Sequence, residues 1–387
     1  MFVILFFLAV FAADVSENTL AKTLLQNNDA DWQSLTDTAV PLETQADAAI
    51  ALMHQLEKTV PKRFIAENQT DYQKDTAAAG NLYQTNAAVI HAAPFAGKPN
   101  AFRCKVKLQD GSEAEVITPS VPAAWQMDKT MSERCRFTGL LLRKNNKAVF
   151  ITPAIRWYPN TFLGNLNFDV GSFDKVPVKR VTEIDALDDE TKRTAFKLTE
   201  NDNEPFYGLL QCLAKTLPGT LEREARSNKI PQTDLFNNPA AVRGTPVLLF
   251  GTAKRIIETK ITDENVRAVL GLEKYYQIYL FTDESQGNPV VVCVSSLPER
   301  MTTGDASDFA VNMAVAAVPY KLWIYDTAGG QHYAPLLIGR CPIWNPDLPT
   351  EETKKKPNET FGQISVCAFF VLLLVWYFLK WRNRTKR

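Results

Sequence analysis

Two short stretches decide how the chain is read: LEKTVP at Leu56–Pro61 and LAKTLP at Leu213–Pro218. They agree at leucine, lysine, threonine and proline. Each closes an amphipathic run. Ile50, Met53 and Leu56 recur at helical spacing before the first, and Phe206, Leu209, Leu210 and Leu213 before the second. Pro61 and Pro218 end those helices, because proline lacks the amide donor and its ring clashes with the preceding turn. The sequence predicts a second helical stretch after each, in KRFIAENQ and TLEREARS.

Strand chemistry follows both helical pairs. In the second unit, residues Gly244–Ile261 read as a long first strand with Gly251 at a bend or bulge. Tyr275–Ser296 is a hairpin turning through TDESQGNP, and Ala310–Arg340 is another turning at Gly329-Gly330. The first unit offers the same order: NLYQTNAAVIHAA, a hairpin turning at Asp110-Gly111, and a hairpin turning at Asn145-Asn146. The offset between units grows from 157 residues at the hexapeptides to 182 at Pro153 and Pro335, as extra loop residues in the second unit would produce. The expected fold class is α+β: a tandem duplication of a helical pair plus a small five-stranded OB-like β-barrel. Another small barrel or a sandwich fits the strand count. AAWQMDKTM and ERMTTGDASDFA are the expected helical pieces between third and fourth strands, with Asp305 or Ser307 as a cap. The units span 41–160 and 205–345. Between them, 161–204 reads as a linker whose acid-rich end is a solvated lead-in without chemistry.

The two ends point to a membrane. Residues 1–12 (MFVILFFLAVFA) are apolar and too short to span a bilayer, which predicts a signal peptide. An uncleaved anchor or a core strand is the alternative. Ile364–Leu379 contains one polar residue, Ser365, so 361–380 is the expected transmembrane helix and the lipid bilayer an expected partner. A buried core helix is the alternative. Trp376, Tyr377 and Trp381 suit an interfacial belt, and Lys380 and Arg382 open the basic tail 381–387. Residues 346–360, rich in proline and charge, read as a stalk. The expected location is therefore the cytoplasmic membrane, single-pass, with the bulk of the chain outside.

Pro205–Arg340 resembles uncharacterised bacterial extracytoplasmic proteins. The shared elements are an FY…LL helix, an RG-x-x-V strand entry at Arg243, the hairpin phrase LFTDESQGNPVVV, the LP after it and a closing APLL. Ala46–Pro159 is similar more faintly and lacks the RG entry. The resemblance implies fold and location and carries no activity.

Little in the chain points to catalysis. Lys+Arg and Asp+Glu both number 43; five bases lie in 380–387, so the rest carries 38 bases against 43 acids, net −5. That balance makes nucleic acid an unexpected partner. Six cysteines occur without a Cys-x-x-Cys pair, which argues against zinc or thioredoxin-like redox chemistry. Buried thiols suit them better than bridges. The histidines His54, His91 and His332 are far apart, and no nucleophile-elbow, metalloprotease or phosphate-loop motif is present. No cofactor is expected. The candidate ligand-binding residues are Gln277, Tyr279 and Phe281, which alternation places on the outer face of one strand, opposite Ile278 and Leu280. Cover by the unit's own helices is the competing role. The expected function is a non-enzymatic scaffold or binding module recognising a protein partner or envelope polymer through a barrel. An extracytoplasmic envelope-modifying enzyme and a single-stranded nucleic-acid-binding protein are the alternatives.

Overall fold

Alternating burial along the strands builds two sheets, each with one face turned inward. The computed structural model describes residues 35, 39–59, 70–98, 100–188, 197–285, 287–327 and 330–344. The first sheet holds β1 (Thr70–Asp71), β2 (Leu82–Pro94), β3 (Phe102–Leu108), β4 (Glu113–Thr118), β5 (Thr130–Lys144), β6 (Lys147–Ile151) and β7 (Ile155–Trp157). Its order is β1-β2-β3-β4-β6-β5-β7, with β2 also pairing with β5. The second holds β8 (Val247–Lys260), β9 (Lys274–Phe281), β10 (Val290–Val294), β11 (Val311–Thr327) and β12 (Gly330–Gly339), closed into a barrel in the order β10-β12-β11-β8-β9. Both are mixed: β1–β2, β4–β6 and β10–β12 are parallel and the remaining pairs antiparallel. Both also run one circuit of pairings, in which the first long strand meets the second and the fourth while the third meets the fifth.

Local chemistry sets the details. β5 turns into β6 through Asn145 and Asn146 at φ 47° and 62°, the left-handed pair that a two-residue hairpin requires and asparagine tolerates. Gly251 is not the bulge. It lets the Phe281 carbonyl approach so closely that a Cβ would collide with it, and the register shift falls at Lys254, between Ala253 and Arg255.

Inside the second barrel, Leu249, Ile256, Ile278, Leu280, Val292, Val315 and Leu337 make an aliphatic core. Inside the first sheet, Phe137 and Phe150 pack edge to face with centroids 5.3 Å apart. The Ala46–Thr59 helix packs on the outer face of β5 and β6 through Leu52, Met53 and Leu56 against Leu140, Val149 and Ile151. The Glu200–Ala214 and Thr220–Ser227 helices cover the outside of the second barrel, where Phe206, Leu210 and Leu213 meet Val318, Tyr320 and Ile338.

Several expectations fail. The fold class predicted from sequence is overturned. The sheets are unequal and mixed, the first having seven strands, and the helices do not come as one pair per unit. Among the described residues no helix is long and apolar enough to cross a membrane. Segments 361–380 and 381–387, with Trp376, Tyr377, Lys380, Trp381 and Arg382, lie outside the described residues, as do 1–12 and 346–360. The transmembrane anchor, the single-pass topology and the cytoplasmic-membrane location therefore lose their support and are withdrawn. The expected helix KRFIAENQ also lies outside. Residues 299–310 form turns and an isolated bridge from Gly304 to Ile256, so Asp305 caps nothing there. Within 161–204, the acid-rich end expected to be solvated contains Asp202, which is buried. Leu163, Phe168, Phe173 and Val176 are buried in the second barrel's outer core, and Asp169 Oδ1 accepts from the Trp157 amide of β7 at 2.8 Å.

Candidate functional site

The β8–β9 ribbon carries the residues singled out by alternation. Tyr275, Gln277, Tyr279 and Phe281 face outward, and Ile278 and Leu280 inward. The outer row is graded in cover. Tyr275 is buried beneath Phe206 and Tyr207, with centroids 5.6 and 6.5 Å away. Gln277 Nε2 donates to Tyr275 Oη at 3.4 Å and is tied into that packed end. Tyr279 packs half-buried at the margin of the same cluster, with the Arg255 guanidinium 5.4 Å above its ring. Phe281 joins none of the core clusters among the described residues, and exposed Lys254 lies 5.3 Å over its ring. The bulge places that lysine there, by adding a residue opposite the Phe281 end of the ribbon. Helical cover therefore claims Tyr275 and Gln277 and leaves Phe281 partly exposed with Lys254 over its ring, while Arg255 stands over Tyr279. Phe250, on β8, is 62% exposed, a signal that periodicity alone does not separate from a buried strand residue.

The other end of the ribbon opens into a cleft of about 650 Å³ at the barrel mouth. Tyr276, Leu297, Pro298 and Met301 line it together with Glu258 and Lys274. Lys274 Nζ meets Glu258 Oε2 at 2.9 Å and stands 5.7 Å over the Tyr276 ring. The hydrogen bond to Glu258 raises the lysine's pKa. A cation over an aromatic face thus recurs along the ribbon, at Lys254, Arg255 and Lys274.

Behind this surface lies a charged pair that the sequence did not announce. Lys321 Nζ sits 2.8 Å from Asp202 Oδ1, with 0% and 2% of the two side chains exposed. Tyr320 Oη donates to Oδ1 at 2.9 Å, Thr199 N and Oγ1 donate to Oδ2 at 2.9 Å, and Lys321 Nζ also donates to the Lys197 carbonyl at 2.9 Å. Asp202 is at once the helix's capping-box acid and the lysine's counterion. The RG entry has a packing role. Arg243 Nη1 donates to the Phe173 and Val176 carbonyls, and Gly244 leaves room for Phe173 and Leu163.

Cys104, Cys135 and Cys293 are buried free thiols, and burial pushes Cys104 up to about 12. Among the described residues no group of three or more His, Cys, Asp or Glu is placed to hold a metal. His54, His91 and His332 lie on a helix, on β2 and on β12.

No family model matches the chain, and no curated protein matches it. A solved structure described as the tetrameric p202 HIN2 shares 7% identity over 66% of this chain and 87% of that one, at a TM-score of 0.14. Another, described as structural mimicry for functional antagonism, shares 10% identity over 69% and 95%, at 0.15. Likeness at that level carries no argument about fold or function.

Proposed function

We propose that the protein is a non-enzymatic binding module and that the Phe281 end of the β8–β9 ribbon meets its partner. The observation that carries this reading is the partly exposed aromatic edge with cations over it, Lys254 on Phe281 and Arg255 on Tyr279. Aromatic and arginine side chains dominate the energetics of protein interfaces, and a cation held over a ring suits a partner that brings carboxylates to an apolar contact. Exposed Phe250 on the same strand adds apolar area. The partner that fits is an acidic segment of another protein. A polymer bearing acidic groups is the second reading, favoured by the same cations. Gln277, tied to Tyr275, supports the face and does not meet the partner.

The test is affinity capture with the full chain, followed by titration of the purified partner against wild type and Tyr279→Ala/Phe281→Ala. The proposal expects the double variant to weaken binding at least about tenfold, the loss of roughly 1.4 kcal/mol, with raised salt weakening the wild type as well. Unchanged binding in the double variant returns both aromatics to packing.

A further inference from the structure

We propose that Lys321 and Asp202 become joined by an intramolecular amide bond, tying the Glu200–Ala214 helix covalently to β11. The geometry that points to it is a lysine nitrogen held 2.8 Å from one carboxylate oxygen and 2.9 Å from the other, with both side chains excluded from water. An ion pair is the ordinary outcome of such an approach. Three features take this one further.

The nitrogen is held in place. Lys321 rises from β11 at its register shift, between Pro319 and Lys321, and the Lys197 carbonyl fixes its other side at 2.9 Å. Proximity of this kind replaces an encounter by a single internal step. The carboxyl is polarised, since Tyr320 Oη donates to Oδ1 while the Thr199 amide and hydroxyl hold Oδ2. The site is also dry, so an amide formed there is shielded from hydrolysis. Burial lowers the lysine's pKa toward the neutral amine and raises that of Tyr320, which keeps its phenol protonated as a donor.

The step balances without any further reagent. Lys321 Nζ attacks Asp202 Cγ, and the bond from Cγ to Oδ1 breaks. Oδ1 leaves as water with two of the ammonium's three protons, and the third stays on the amide nitrogen. The Tyr320 hydroxyl passes one proton to the leaving oxygen and takes one back from the nitrogen. Positive and negative charge disappear together, so the dry interior ends with a neutral amide in place of two ions.

Peptide mapping of the purified, denatured full chain decides the matter, independently of processing at either end. With Lys321 blocked, trypsin is expected to release 198–215 amide-linked to 301–340, uncut at Lys321 and lighter than the sum of its parts by one water. Lys321→Arg is expected to abolish the branched product, and Tyr320→Phe to reduce its yield. Recovery of 198–215 and 301–321 as separate, unmodified peptides overturns the proposal. So does a loss of water found only in a linear peptide, for example at Asp110-Gly111.

Discussion

On the outer face of β3 stand Arg103, Lys105 and Lys107, while on that of β9, its counterpart in the circuit, stand Tyr275, Gln277, Tyr279 and Phe281. The inner faces are apolar in both: Cys104, Val106 and Leu108 in one, Ile278 and Leu280 in the other. Barrel interiors tolerate little besides packed apolar atoms, so the two regions differ on the outside. The first ribbon offers cations whose one ring partner, Phe95 under Arg103, is buried, and the second offers partly exposed rings with cations over them. A second contrast lies deeper. The offset of 157 residues that carries Leu56 onto Leu213 also carries Gln45 onto Asp202. Each of these helix-start residues holds a buried lysine from the corresponding strand. Gln45 Oε1 accepts from Lys144 Nζ of β5 at 2.8 Å, and Asp202 accepts from Lys321 of β11. Before Lys321 and Asp202 are joined, one tie from helix to sheet is thus made with a neutral side-chain amide in the first region and with a charged pair in the second.

If the contrast between the ties is real, breaking them has unequal cost. Lys321→Met leaves a carboxylate buried without its counterion, removes the amide link as well, and is expected to cost at least about 3–5 kcal/mol by denaturant unfolding. Lys144→Met removes a hydrogen bond to a neutral amide and is expected to cost about 1–3 kcal/mol. Equal losses would erase the distinction.

Asp169 sharpens a different boundary, where the 161–204 segment meets the first sheet. Burial pushes its carboxyl up to about 6 despite the amide hydrogen bond from Trp157. A carboxyl whose pKa is raised by folding favours the folded state when protonated. Its contribution is therefore fully present below the ordinary carboxylate range near ~4 and is lost as pH rises through about 6. Asp169→Asn is expected to flatten that fall in a stability–pH profile while leaving the acidic limb of the curve near wild type. The smallest expected effect on folding is that of Phe281→Ala, below about 1 kcal/mol because the ring is partly solvated, whereas Tyr275→Ala is expected to cost about 3 kcal/mol or more.

Some of this was legible in the residues. The prolines placed the helix ends within a few positions, since the helices close at Thr59 and Ala214. Asn145-Asn146 named its own turn, and period-two alternation put Ile278 inside and Phe281 outside. The burial of Leu163, Phe168, Phe173 and Val176 is not legible in the residues because they follow no helical or strand period; they are buried by docking onto a surface made elsewhere. Asp202 sits in TENDNE, where every neighbour suggests solvent, and its partner is 119 residues away. Neither local charge density nor periodicity reports a contact of that range. The membrane anchor rested on hydropathy in a segment outside the described residues. The graded cover of the candidate site, with Tyr275 sealed and Phe281 partly exposed, depends on where the Glu200–Ala214 helix lands, which no pattern within β9 records.

The most direct test of the account is a photocrosslinking residue placed at 281 and, in a second preparation, at 105, each in the full chain with its partner from the capture experiment. Covalent adducts are expected from position 281 on the second ribbon and none from position 105 on the first. Adducts from 105 alone, or equal yields from both, would contradict the assignment of binding to the β8–β9 face.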